Sequence, residues 1–223
     1  MTRSVLALVV TAVTVAIPAA ASAQAPTTLS FDQPCYSPGD RMTFSGTGYT
    51  PSGAIQLTLD SQSTHRTATF DTQADANGAI GDYVSTLDPD GYLQDDEFSA
   101  AMAITAKDPE QHTGSTTVTL SRFGVALSQP NGAAPRAGKR LRIHAAGFTN
   151  ARGKTLYLHY RRGGRTVKSV KLGTLTGDCG DRTKTLSRGL PRGARRGRYQ
   201  LVFNTSARNP NTFPRVAQPL TLR

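Results

Sequence analysis

Gly39-Asp40-Arg41-Met42-Thr43-Phe44-Ser45-Gly46-Thr47-Gly48-Tyr49-Thr50 returns 99 residues later as Gly138-Lys139-Arg140-Leu141-Arg142-Ile143-His144-Ala145-Ala146-Gly147-Phe148-Thr149. At that constant offset residues 39–87 lie on residues 138–186 without a gap. Leu57, Leu59, Gly81, Asp82 and Leu87 then fall on Leu156, Leu158, Gly180, Asp181 and Leu186. A fixed long period marks a duplicated module. Within it, Met42-Thr43-Phe44 and Ile55-Gln56-Leu57-Thr58-Leu59 return an apolar residue at every second position, which sets one face of a strand on a core.

Outward from this stretch the pattern continues in both directions. Short alternating runs are predicted as strands at Thr28–Phe31, Thr67–Phe70, Phe98–Ile104 and Thr116–Leu120, and again at Leu156–Tyr160, Val167–Leu172, Tyr199–Phe203 and Val216–Leu222. Turn formers such as Ser37-Pro38-Gly39-Asp40 and Asp75-Ala76-Asn77-Gly78 separate them. Short strands with turn signals every ~8–12 residues predict an all-β sandwich. The repeat divides the chain into two such domains, residues 24–122 and 123–223, which abut because Leu120 and Val125 leave no room for a flexible linker.

The chain opens with Met1-Thr2-Arg3, an apolar run to Ala20 and Ala21-Ser22-Ala23. A basic start, a short apolar stretch and an A-x-A site form a secretory signal peptide, here residues 1–23, cleaved after Ala23 with Ala25 as the second choice. The run is short for a membrane span, which takes ~20 apolar residues. The expected location is therefore secreted or extracytoplasmic, with no transmembrane segment.

The stretch Ser37–Pro51 resembles the opening of bacterial immunoglobulin-like repeat modules, in which a Pro-Gly turn precedes a strand ending in a Gly-x-Gly-aromatic step. Asp75–Gly78, Ala101–Lys107 and Thr116–Leu120 are similar to the rest of that pattern. In the second copy Arg140–Thr149 and Tyr199–Thr205 carry it. The resemblance implies two tandem immunoglobulin-like β-sandwiches. It implies no activity, because such modules act mostly as spacers, adhesive modules and binding domains.

Charge separates the copies. Residues 24–122 hold 4 Lys and Arg against 13 Asp and Glu, a net −9. Residues 123–223 hold 21 Lys and Arg against Asp178 and Asp181 alone, a net +19. In the first copy the loop Asp88–Glu97 is acidic, and in the second the equivalent loop 187–196 is basic. Sixteen of the 21 cations are arginine, whose planar fork matches phosphate and carboxylate. Arg161, Arg162 and Arg165 read as a hairpin tip, and Arg192, Arg195, Arg196 and Arg198 as a loop leading into a strand. These are the candidate polyanion-binding residues. Sequence-specific DNA reading is not expected, since no recognition helix is visible, and Tyr157, Tyr160 and Tyr199 read as core or sheet-face residues.

Three other constellations bear on chemistry. Asp88, Asp90 and Glu97 come near a calcium loop, but Thr86 stands where its first aspartate belongs. Cys35 and Cys179 lie in different copies, and export allows them to pair; a Cys35–Cys179 bridge joining the two domains is expected, with a disulfide-linked dimer or two free thiols as the alternatives. Gly177-Asp178-Cys179 distantly resembles the cysteine motif of L,D-transpeptidases, which would make Cys179 a nucleophile with His159 upstream. Here, however, Asp178 replaces the glycine before the cysteine, and a neighbouring carboxylate raises a thiol pKa. At the constant offset Cys179 falls on Ile80, which points to an inward-facing scaffold position. His144 and His159 are expected on exposed strand faces, and Asn204-Thr205-Ser206 at a strand end.

The expected function is a non-catalytic secreted or envelope-associated binding module. Its Arg-rich second domain engages an acidic envelope polymer or an acidic protein surface, without cofactors. The alternative is a self-associating structural protein that pairs acidic with basic domains, and a Cys179-dependent enzyme is the remote one.

Overall fold

The computed structural model describes residues 26–85, 88–133, 139–190 and 197–222. The segment 1–23, expected to be a signal peptide, therefore lies outside the described residues. Among those described, no helix is long and apolar enough to cross a membrane.

The chain is nearly all β, and the described residues form fifteen strands. In order they are β1 Thr28–Phe31, β2 Cys35–Tyr36, β3 Arg41–Thr47, β4 Ala54–Ser61, β5 Thr67–Gln73, β6 Ile80–Ser85, β7 Ser99–Lys107 and β8 Thr113–Ser121. The second half supplies β9 Gly124–Ser128, β10 Leu141–Ala146, β11 Thr155–Arg162, β12 Arg165–Thr174, β13 Arg182–Leu186, β14 Gly197–Asn204 and β15 Val216–Leu222. They form four sheets, in the orders β1-β3-β6, β2-β8-β7-β4-β5, β13-β10-β9 and β12-β11-β14-β15. All pairings are antiparallel except the short β2–β8 pair.

Alternation builds two separate cores. In β3, Met42 and Phe44 turn inward while Arg41, Thr43 and Ser45 stay exposed. They meet Leu57 and Leu59 of β4 and Met102 and Ile104 of β7, so residues 29–120 share one core between two sheets. Val125, Ile143, Leu158, Tyr160, Leu201 and Phe203 belong to a second core over residues 125–220. Each fully buried large side chain contributes ~1.5–3 kcal/mol of apolar transfer.

The strands β6 and β13 are additions to the sequence reading, and they correct the alignment. In the first half Met42 pairs with Val84, and in the second Leu141 pairs with Leu186. From the turn onward the true offset is therefore 102. The turn agrees, since Gly78 N–H bonds to Asp75 O at 3.1 Å and Gly180 N–H to Gly177 O at 3.3 Å. Both glycines have positive φ. A Cβ there would lie 2.2 Å from Tyr49 O and 2.3 Å from Phe148 O respectively, so only glycine fits. Cys179 thus matches Asn77 and not Ile80.

The displacement begins at a hairpin. Six residues separate the paired Asp60 and Thr67 in the first half, and nine separate His159 and Ser169 in the second. The following loop restores the original register, because Leu59–Ile104 and Leu158–Phe203 are again 99 apart.

The halves join end to end. Cys35 and Cys179 form a disulfide, the expected bridge between the two copies. Ser37 Oγ–H donates to Gly147 O at 3.0 Å, and Asp40 accepts from Thr149 Oγ1 and Asn150 Nδ2, each at 2.9 Å. Phe98 meets His144 edge-on, with ring centroids 5.1 Å apart.

Candidate anion-binding end

Antiparallel connection decides where the cations gather. The β11–β12 hairpin turns at Gly163-Gly164, both with positive φ, +53° and +77°. A two-residue loop of that conformation matches the twist of its strands and requires residues tolerant of the left-handed region. Arg162 and Arg165 pair across it, and Arg161 Nη2–H donates to Gly164 O at 2.6 Å. Arg161 Nε is out of solvent and has no acceptor among the described residues. The Arg162 guanidinium lies 5.9 Å from the centre of the Tyr199 ring, within range of a cation–π contact. Arg198 precedes that tyrosine on β14.

The opening of β10 reaches the same end. Leu141 pairs with Leu186, and Gly189 N–H bonds to Lys139 O at 2.8 Å. Lys139, Arg140 and Arg188 therefore join the hairpin arginines. Of this set Arg161 is half-buried, and Lys139, Arg140, Arg162, Arg165, Arg188 and Arg198 are exposed. Asp178 and Asp181, the only carboxylates after Arg122, flank Cys179 at the junction, at the opposite end of the half. Arg192, Arg195 and Arg196 lie outside the described residues. Lys139, Arg140 and Arg188 were missed as site residues because they sit far apart in sequence, and only strand direction brings them to one end.

The acidic loop lies at the junction. Its three calcium candidates are engaged separately. Asp88 Oδ1 accepts Asp90 N–H at 3.1 Å, Asp90 Oδ1 takes Arg122 Nε at 2.8 Å, and Glu97 Oε2 accepts Gln94 N–H at 3.1 Å. Arg122 Nη1 also donates to the carbonyls of Gln94, Asp95 and Glu97 at 2.8, 3.2 and 2.7 Å. A guanidinium, held by four oxygens, is the cation of this loop. Among the described residues no group of three or more His, Cys, Asp or Glu is arranged for a metal.

The nucleophile reading meets two obstacles. Cys179 sulfur is bonded to Cys35, and His159 is fully buried. Its Nδ1 lies 2.8 Å from Ser169 Oγ, and its Nε2 lies 3.0 Å from Asn204 Oδ1 and 2.8 Å from Ser206 O. The expectation of an exposed His159 is thus corrected: it lies on the outer face of its sheet, but the chain after β14 folds back over it. His144 is half-buried against Phe98. Tyr160 and Tyr199 are core residues, as expected, and Asn204 ends β14.

The chain matches no protein-family model and no curated protein sequence. Among solved structures it is similar to a red sea bream transglutaminase, with 11% identity, a TM-score of 0.31 and coverage of 88% of this chain and 31% of that one. It is also similar to a tetra-tandem repeat in the extending region of a large adhesion protein, with 15% identity, a TM-score of 0.33 and coverage of 89% and 49%. The chain thus spans less than half the length of either structure, and neither likeness is close enough to carry over an activity.

Proposed function

We propose that this chain is an exported, non-catalytic binding protein of two immunoglobulin-like sandwiches, residues 24–122 and 123–223, whose second half holds polyanions by its far end. The observation that carries this reading is the separation of charge along the second half. Seven described cations share the end away from the disulfide, while both carboxylates of that half sit beside Cys179. Like charges concentrated at one end create a field that raises local counter-ion concentration and association rate. Self-repulsion makes such a cluster costly, and a multivalent anion relieves it. The arginines suit phosphate, sulfate or carboxylate through paired N–H donors.

The ligand class is an acidic polymer of the cell envelope or its surroundings. Recognition rests on charge density and needs no base or sugar pocket. The full chain is therefore expected to be retained on immobilised heparin, used as a polyanion probe, and to lose affinity steeply with salt. Passage through the column unretained at about 100 mM salt contradicts the proposal.

A further inference from the structure

Each half is open along one side, where the outer strands of its two sheets approach without pairing. In the first half this seam runs between β5 and β6, and in the second between β12 and β13. Among the described residues each of these four strands has a single neighbour in its sheet, so a row of backbone N–H and C=O groups that no described strand pairs borders every seam. Along the first seam lies a slot of about 440 Å³, lined by Phe44, Leu57, Phe70 and Val84 with Asp71 and Asp82 at the rim. Along the second lies a slot of about 480 Å³, lined by Tyr160, Val170, Leu186 and Leu190 with Lys168 and Arg188 at the rim. Val167, 55% exposed, stands at its mouth.

The two seams are opposite in charge, and at one position the charges match in register. Asp82 pairs with Phe44 on β3, and Lys184 pairs with the equivalent Ile143 on β10. Lysines on one edge and aspartates on the other discourage each seam from joining its own kind. The same charges favour the unlike pairing. The junction holds the two halves of one chain end to end, which leaves its acidic and basic seams on separate halves. A second copy supplies the complementary edge.

We infer that two copies of this chain associate through these seams, the β5/β6 edge of one against the β12/β13 edge of the other. Strand addition gives backbone hydrogen bonds, and apolar side chains of one edge fill the slot of the other. Two such contacts in one antiparallel pair close a two-fold dimer, whereas one contact at a time grows open chains. Either outcome raises the solution mass at low salt. This association does not rest on polyanion binding at the far end.

The test uses three full-length mature proteins and sedimentation velocity at about 20 mM and about 500 mM salt, where screening lengths differ several-fold. Wild type is expected to associate at low salt and to dissociate at high salt. One variant carries Asp71→Lys and Asp82→Lys, the other Lys168→Glu and Lys184→Glu. Each alone is expected to be monomeric, and an equimolar mixture to restore association at least ~10-fold tighter than either alone. In wild type, hydrogen exchange of β5 and β12 amides is expected to slow as protein concentration rises at low salt, which needs no variant to fold. A monomeric wild type at low salt, variants that associate as wild type does, or a monomeric mixture of folded variants overturns the inference. Heparin retention by the Lys168→Glu, Lys184→Glu variant separates this result from the polyanion reading, because the arginines of the far end are untouched.

Discussion

Arg122 Nε donates to Asp90 Oδ1 at 2.8 Å, and that pair is one corner of a loop closed around a guanidinium. The ion pair itself is worth little, since the Asp90 side chain is 77% exposed. The three carbonyl bonds from Nη1 matter more, as hydrogen bonds from a charged donor. Arg122→Gln is therefore expected to lower stability by ~1–3 kcal/mol and to open residues 88–97 to limited proteolysis. Asp90→Asn should change stability by less than ~1 kcal/mol. Equal effects of the two substitutions in chemical denaturation would show that the carbonyl contacts are not what holds the loop.

Asp108 gives the fold an acid-sensitive point. It is buried, and its carboxylate accepts from Thr50 N–H at 2.8 Å, Thr50 Oγ–H at 2.7 Å and His112 N–H at 2.9 Å, with His112 Nδ1 at 2.7 Å. Burial opposes its ionisation, but these bonds outweigh burial and hold the carboxyl below the ordinary carboxylate range. A depressed native pKa contributes stability in full above the unfolded value of ~3.9, and that contribution is lost as pH falls through the native one. Asp108→Asn is thus expected to be less stable than wild type at pH 6, with the gap narrowing below pH ~4. A gap that stays constant from pH 6 to pH 2 contradicts this account.

The disulfide ties two cores that are otherwise separate. Cys35 and Cys179 are 144 residues apart, and closing so long a loop stabilises by ~2–4 kcal/mol in typical cases. Because residues 29–120 and 125–220 have their own cores, paired Cys35→Ser and Cys179→Ser substitutions should leave both folded. Calorimetry is expected to resolve one transition into two, and small-angle scattering to show a broader range of shapes. A single cooperative unfolding of the whole chain on loss of the bridge would mean that the halves do not fold independently.

Much of this architecture was legible from residues 39–50 and their echo. Alternation located strands such as β1, β3, β4, β11 and β14, because their inward residues are large and apolar and their outward ones polar. The strands β6 and β13 escaped because Ile80-Gly81-Asp82 and Arg182-Thr183-Lys184 carry turn or charged residues. Their strand state is imposed by pairing with β3 and β10. The ungapped repeat concealed an insertion and a compensating deletion, since Gly81 and Asp82 fall by coincidence on Gly180 and Asp181. It therefore misplaced Cys179 on Ile80, although the cysteine is buried, through its bond to Cys35. The hairpin tip was readable, because Gly-Gly between basic residues has few other uses. The convergence of Lys139, Arg140 and Arg188 with that tip was not, since it depends on strand direction. His159 was misread because no local pattern announces a covering loop 47 residues away.

If the second half binds polyanions as proposed, the location of its cations governs binding, and not net charge alone. Two full-length variants with equal reduction in charge separate the two on immobilised heparin. One carries Arg165→Gln, Arg188→Gln and Arg198→Gln at the far end, and the other Arg152→Gln, Lys154→Gln and Arg208→Gln elsewhere on the same half, all six positions being exposed. The far-end variant should elute at distinctly lower salt, its dependence of log affinity on log salt falling by roughly one unit for each guanidinium–sulfate pair removed, while the other elutes close to wild type. Elution of both variants at the same salt concentration would contradict the account.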